Sequence, residues 1–142
     1  MIKLLESTLV RLLLCYSIAT VTPLAGQDSD RLHSFNVVEM TIPELQEAMS
    51  KDLVTSVELT KAYLARIKAY DQKGPRLNTM IRLNPKALAQ AKEMDQERDQ
   101  KGPRGPLHGI PIVLKDNYDN RDMPTSGASI ALAGLVPPDD AF

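Results

Sequence analysis

The segment Gly109–Asn117 reads GIPIVLKDN. Ile112, Val113 and Leu114 follow one another without a polar residue between them, and Ile110 lies just ahead. A strand that is apolar on both faces needs cover on both faces. Such strands belong to sheets with helices packed on either side, which points to an α/β architecture. Pro111 implies an edge position, or a strand that starts after it. The run stops abruptly at Lys115, Asp116 and Asn117. The carboxyl ends of such strands are where α/β proteins place their sites.

The rest of the body fits the same class. Thr41-Ile42-Pro43-Glu44 is a capping box, and it predicts a short helix with Leu45, Ala48 and Met49 on one face. Thr55-Ser56-Val57-Glu58 is a second one. It opens a longer helix with Val57, Thr60, Leu64 and Ile67 at helical spacing, stopped by Gly74-Pro75. Leu77, Thr79, Ile81 and Leu83 alternate, which predicts a strand ending at Asn84-Pro85. Asn84 as N-cap and Pro85 at the first helical position predict a third helix from Pro85 to about Gln100. Leu88, Ala91 and Met94 are expected to face inward. Lys92, Glu93, Asp95, Glu97, Arg98 and Asp99 are expected to form a solvated face. Gly102–Pro106 reads as a loop, and residues after Tyr118 read as loop with a short apolar piece at Ile130–Leu135. The expected content is therefore three helices and two strands, in a mixed sheet flanked by helices.

Composition excludes several function classes. Net charge is -1, so nothing electrostatic favours nucleic acid or an acidic membrane. Aromatic residues make up 4% with no Trp, too few for a base-stacking surface. One Cys and two His cannot assemble a zinc site at usual ligand spacing, and no cofactor motif is present. Residues 1–25 stand apart. Lys3 and Arg11 are basic, and Leu12 to Val21 is an apolar run of the length found in secretory signal peptides. It is short of the roughly 20 apolar residues that span a bilayer. Ser17-Ile18-Ala19 and Ala25-Gly26 are candidate cleavage contexts. The competing reading is an amphipathic helix carrying Leu5, Leu9, Leu12 and Leu13. The expected organisation is a leader at 1–25, a polar linker at 26–40 and a body at 41–142, with export as the expected localisation.

Lys115 is the candidate catalytic residue. An amine at the end of a buried strand is partly desolvated, which favours its neutral form. A neutral amine accepts a proton and acts as a general base. The competing reading is a lysine that pairs with Asp116 or extends to solvent. Asp116 and Asn117 are expected to fix the turn that aims it. His108 is expected to be structural, with a role in orienting Asp116 or a substrate as the alternative. Thr125-Ser126-Gly127-Ala128-Ser129 reads as a bare small-residue loop.

Three stretches together carry a resemblance. They are GPLHGIPIVLKDN (Gly105–Asn117), MPTSGAS (Met123–Ser129) and PDDA (Pro138–Ala141). They resemble the amidase signature family, and the first resembles its peptide-amidase-like branch. The helix start at Thr55–Thr60 and the strand start at Leu77-Asn78 also match the family's pattern, so the resemblance runs from about Thr41 to Phe142. It implies the amidase signature fold and hydrolysis of a carboxamide C–N bond by a Ser-cisSer-Lys mechanism. Lys115 matches the family's lysine, and Thr125–Ser129 matches a loop near its site. Small-molecule or peptide amides are the implied substrates, without cofactor, metal, nucleic acid or membrane span. The family's two serines lie in a Gly/Ser-rich segment beyond the match to Pro138–Ala141. Ser126 and Ser129 are the only serines after Ser56, and neither has that context. The expectation is an N-terminal portion of an amidase, inactive and marginally stable alone because strand edges would lie unpaired. The alternatives are a non-catalytic truncated product, or part of an amidotransferase-A-like protein that works on charged transfer RNA.

Overall fold

The computed structural model describes residues 35–141. The leader at 1–25 and most of the linker lie outside the described residues. Three α-helices carry the fold: α1 Ile42–Ser50, α2 Ser56–Arg66 and α3 Ala87–Lys101. A π-helical turn at Ile67–Asp71 extends α2, and a short 3-10 turn spans Ile130–Leu132.

Both capping boxes form. The Thr41 amide donates to Glu44 Oε2 at 2.7 Å, and the Thr41 hydroxyl accepts the Glu44 amide. The Thr55 hydroxyl accepts the Glu58 amide at 3.1 Å, and Glu58 Oε2 accepts the Thr55 amide at 2.8 Å. Each box satisfies amides that the first helical turn leaves without intrahelical partners.

The core is small. Leu45, Ala48 and Met49 of α1 pack with Leu59 of α2, with Val54 from the connection between the two helices and with Val37. Phe35, Met40, Tyr63 and Ile110 close its margin. Val37 and Phe35 come from the stretch expected as linker, so part of that stretch belongs to the packed body.

Helix α2 packs along α3, but not through the face expected. Leu88 is 42% exposed, and Ala91 is the one fully buried residue of α3. The inward face runs Ala87, Ala91, Met94, Asp95, Arg98, all at helical spacing and all at least half-buried. Asp95 and Arg98 thus leave the solvated surface where the sequence placed them. The reason is visible in the bonds. Asp95 Oδ1 accepts the Ser56 amide at 2.6 Å and Oδ2 accepts the Val57 amide at 3.1 Å. A carboxylate from α3 therefore serves the N-terminus of α2, where helix polarity favours negative charge. The third helix also starts later than expected. Asn84 Oδ1 accepts the Lys86 amide at 2.8 Å, and this turn precedes Ala87 instead of capping at Pro85.

The two expected strands do not form among the described residues. No ladder joins Leu77–Leu83 and Ile110–Leu114, and Asn78 within the first of them sits at φ +51°. Leu77, Ile81, Ile112 and Val113 are each more than 60% exposed. Extended backbone becomes a strand only when another strand takes up its amides and carbonyls, and neither segment meets one here.

The loop before Ile110 is anchored instead by side chains. Gln46 Nε2 donates to the carbonyls of Pro106 (2.8 Å) and His108 (2.9 Å). Arg98 donates to the same His108 carbonyl at 2.9 Å and to Gln46 Oε1 at 2.8 Å. Gly109 then passes close to α2 with φ +75°, and a Cβ there would lie 2.0 Å from Ser56 Oγ.

Asp95→Ala is expected to lower stability by about 2 kcal/mol, because two helix-end amides lose a charged acceptor; urea unfolding measures this, and an unchanged midpoint would sink the assignment. Gly109→Ala is expected to destabilise by about 1–3 kcal/mol from the left-handed backbone alone, before the overlap with Ser56 is added. Gly105→Ala, where a Cβ meets nothing within 4 Å, is the matched control and should be near neutral.

Candidate active site

Lys115 closes the extended run at an exposed turn. Its carbonyl accepts the Tyr118 amide at 3.0 Å. Its side chain is exposed, so the described residues do not supply the cover expected at a strand end. It has no ion pair with a carboxylate among the described residues. The pairing with Asp116 considered from sequence is therefore not made.

Asp116 is committed elsewhere. Its Oδ1 accepts the Ser126 amide at 3.1 Å. Its Oδ2 accepts the Ser126 hydroxyl and, at 3.4 Å, the Ala128 amide. Its backbone carbonyl accepts the Gly127 amide at 2.8 Å. The Ser126 hydroxyl, then the Ser126 amide, hold the Asp116 carboxyl below its ordinary range. A carboxyl depressed in this way stabilises the fold fully at pH values above the ordinary carboxylate range. That contribution is lost as pH falls through the depressed value.

The Thr125–Ser129 loop is thus more than a run of small residues. Besides the Asp116 bonds, the Thr125 hydroxyl donates to the Tyr118 carbonyl at 3.0 Å, and Thr125 itself is buried. Gly127 and Ala128 both have positive φ, +55° and +63°, and the amides of residues 126–128 all reach Asp116, two at its carboxylate and the Gly127 amide at its backbone carbonyl. The sequence displayed the small residues, but their link to Asp116 lies ten positions away and has no periodic signature. Asn117 is exposed.

His108 is structural. It is buried, and its Nε2 donates to the Met94 carbonyl of α3 at 2.9 Å. It does not touch Asp116. Gln46 and Arg98, which hold its carbonyl, were not singled out from the sequence.

A concavity of about 250 Å³ is lined by Leu114, Tyr118, Asp119, Asn120, Asp140 and Ala141, without Lys115. Its acidic side is partly neutralised, since Arg121 pairs with Asp140 at 3.7 Å. Among the described residues no group of three His, Cys, Asp or Glu is placed to hold a metal ion, and no helix is long and apolar enough to cross a membrane.

Chemically, the arrangement presents one amine on a turn whose backbone is fixed from both sides. It can accept or donate a proton to a group brought over it. The nearby Ser126 hydroxyl is committed to Asp116.

Comparison with known proteins places this arrangement. Residues 58–142 match the family model described as Amidase. The peptide amidase from Stenotrophomonas maltophilia superposes with a TM-score of 0.69 at 49% identity, covering 72% of this chain and 21% of that one. An amidase family protein from Bacillus anthracis superposes with a TM-score of 0.69 at 33% identity, covering 80% and 25%. The A-type subunit of the glutamyl-tRNA(Gln) amidotransferase from Streptomyces avermitilis is 36% identical over 107 residues, 75% of this chain and 21% of the relative. The chain spans about a fifth of the length of the relatives it matches. The matched range takes in most of α2, the Gly109–Asn117 run with its lysine and the loop that Asp116 holds, and the chain belongs to the amidase signature family.

Proposed function

We propose that these residues form the lysine-bearing part of an amide hydrolase, with Lys115 as the general base. The observation that carries the reading is the Lys115 turn. It is a lysine at the end of an apolar run, on a backbone fixed by its neighbours, within a stretch that matches the family model. The reading requires the family's two serines, which the described residues do not supply, to complete the machinery.

The neutral Lys115 Nζ takes a proton from the bridging serine, which takes one from the nucleophilic serine. The nucleophile attacks the amide carbonyl, the C–N bond breaks, and ammonia or an amine leaves with a returned proton. Water then hydrolyses the acyl-serine ester. Backbone N–H groups of the glycine-rich segment bearing the serines stabilise the oxyanion. The exposed position of Lys115 accords with a base that acts on residues from another part of the domain.

Peptide amides and related carboxamides are the proposed substrates. Identity of 49% to the peptide amidase, against 35–45% for the amidotransferase A subunits, supports that class. The basic and apolar composition of residues 1–25 supports export of the protein after removal of a leader.

Lys115→Ala in the protein carrying both serines is expected to lower kcat/KM on a C-terminally amidated peptide by roughly 100- to 10,000-fold. Lys115→Arg is expected to be equally inactive, because a guanidinium does not give up its proton. Activity retained by either variant would refute the role. The 142-residue chain by itself is expected to release no ammonia or amine from the same peptide. Sequencing of the native N-terminus is expected to begin between Thr20 and Gln27; a start at Met1 would overturn export.

A further inference from the structure

We infer that Asp116 is a positioning residue for Lys115, and that it acts through its charge on the backbone of residues 126–128. The inference rests on the amide-hydrolase reading above and deepens it.

Among the described residues the Lys115 side chain makes no ion pair that would hold it in place. Its position is set by the residues just after it in the chain. Asp116 receives four bonds from one short loop: the Ser126 amide, the Ser126 hydroxyl, the Gly127 amide and the Ala128 amide. Two positions on, the Tyr118 carbonyl receives the Thr125 hydroxyl, while the Tyr118 amide returns to the Lys115 carbonyl. The turn that presents the lysine is therefore tied to a single strap at both ends. The strap is itself unusual backbone. Ala128 sits at φ +63°, a region that residues with a Cβ seldom occupy. It is held there by amides converging on Asp116.

The chemistry of the acceptor decides what a substitution does. Both carboxylate oxygens face donors: Oδ1 the Ser126 amide, Oδ2 the Ser126 hydroxyl and the Ala128 amide. A carboxylate is acceptor-only and suits all three. An asparagine has the same size but presents NH₂ on one side. With the amide oxygen at the Oδ1 position, NH₂ meets the Ala128 amide. With the oxygen at the Oδ2 position, NH₂ meets the Ser126 amide. The hydroxyl of Ser126 can rotate to accept, but a backbone amide cannot. Either orientation leaves one donor against another, so Asp116→Asn loosens the strap without changing volume. Arg82 adds a favourable charge nearby and is itself anchored on the Ala133 carbonyl at 2.6 Å.

The experiment compares wild type, Asp116→Asn, Ser126→Ala and Ser126→Thr in the protein carrying both serines. It measures kcat and KM on a C-terminally amidated peptide, with hydrogen exchange of residues 126–128 and of Leu59. Asp116→Asn is expected to lower kcat roughly 100-fold through misplacement of the base, with KM within about threefold of wild type. Exchange at Gly127 and Ala128 is expected to accelerate while Leu59 stays protected. Ser126→Ala is expected to give a smaller loss in kcat, roughly tenfold, and Ser126→Thr to restore it. Asp116→Asn with wild-type kcat, or with a loss confined to KM, overturns the proposal. If Asp116→Asn unfolds, so that Leu59 exchanges with the strap, the serine pair decides: equal kcat for Ser126→Ala and wild type overturns it. A wild type that hydrolyses no amide refutes the amide-hydrolase reading itself and takes this role with it, an outcome distinct from active wild type with an equally active Asp116→Asn.

Discussion

The carboxylate of Asp95 on the first two amides of α2 is the contact from which the rest of the packed body takes its geometry. It fixes how far α3 slides along α2. The small side chains Ala87 and Ala91 let the two helices approach closely. With that register set, Arg98 arrives one turn further along α3 and reaches both Gln46 and the His108 carbonyl. The loop held there brings Gly109 beneath Ser56, where only a residue without Cβ fits. The apolar run that ends in Lys115 starts from that point. A single polar contact between two helices thus sets where the candidate base emerges, several connections away.

This arrangement also explains what the sequence disclosed and what it withheld. The capping boxes at Thr41 and Thr55 are local, spanning three residues, and their bonds are fixed by the helix start itself. They were legible. So was the buried face of α1, where Leu45, Ala48 and Met49 recur at helical spacing. The LKDN motif marked Lys115 because its residue order is specific. By contrast, the inward face of α3 has little apolar area, and its decisive residues are Asp95 and Arg98. Charged residues at helical spacing look alike whether they face water or a helix end 38 or 39 positions back. The two segments expected as strands form none, because a strand is a property of a pair, and no partner lies among residues 35–141. The clamp between Asp116 and Ser126 was invisible for the same reason: it joins two loops through side chain and backbone, without periodicity.

Polar contacts hold much of this small body. Its main apolar cluster consists of six buried residues, and many large apolar side chains of residues 77–83 and 110–114 face solvent. Helix ends, loop carbonyls and left-handed turns are each tied by a named carboxylate, amide or guanidinium. Hydrogen bonds of this kind add only modestly to stability, but an unmet partner is costly. Such a body is therefore specified sharply in geometry while resting on a thin hydrophobic margin.

The π-helical turn at Ile67–Asp71 has its own consequence. An i→i+5 turn accommodates one residue more than regular helix, so the phase of everything after Arg66 advances by about 100° relative to the stripe of Val57, Thr60 and Leu64. Tyr70 rotates outward, half exposed beneath the Arg66 guanidinium at 5.4 Å. Asp71 rotates inward, where it is buried and its Oδ1 gathers the Thr79 amide at 2.6 Å, the Thr79 hydroxyl and the Met80 amide. The extra residue behaves as a gear tooth. Remove it and the helix would run regular to its end, but the side chain that closes the 72–80 loop would face water, and the chain would enter its first extended segment on the wrong side.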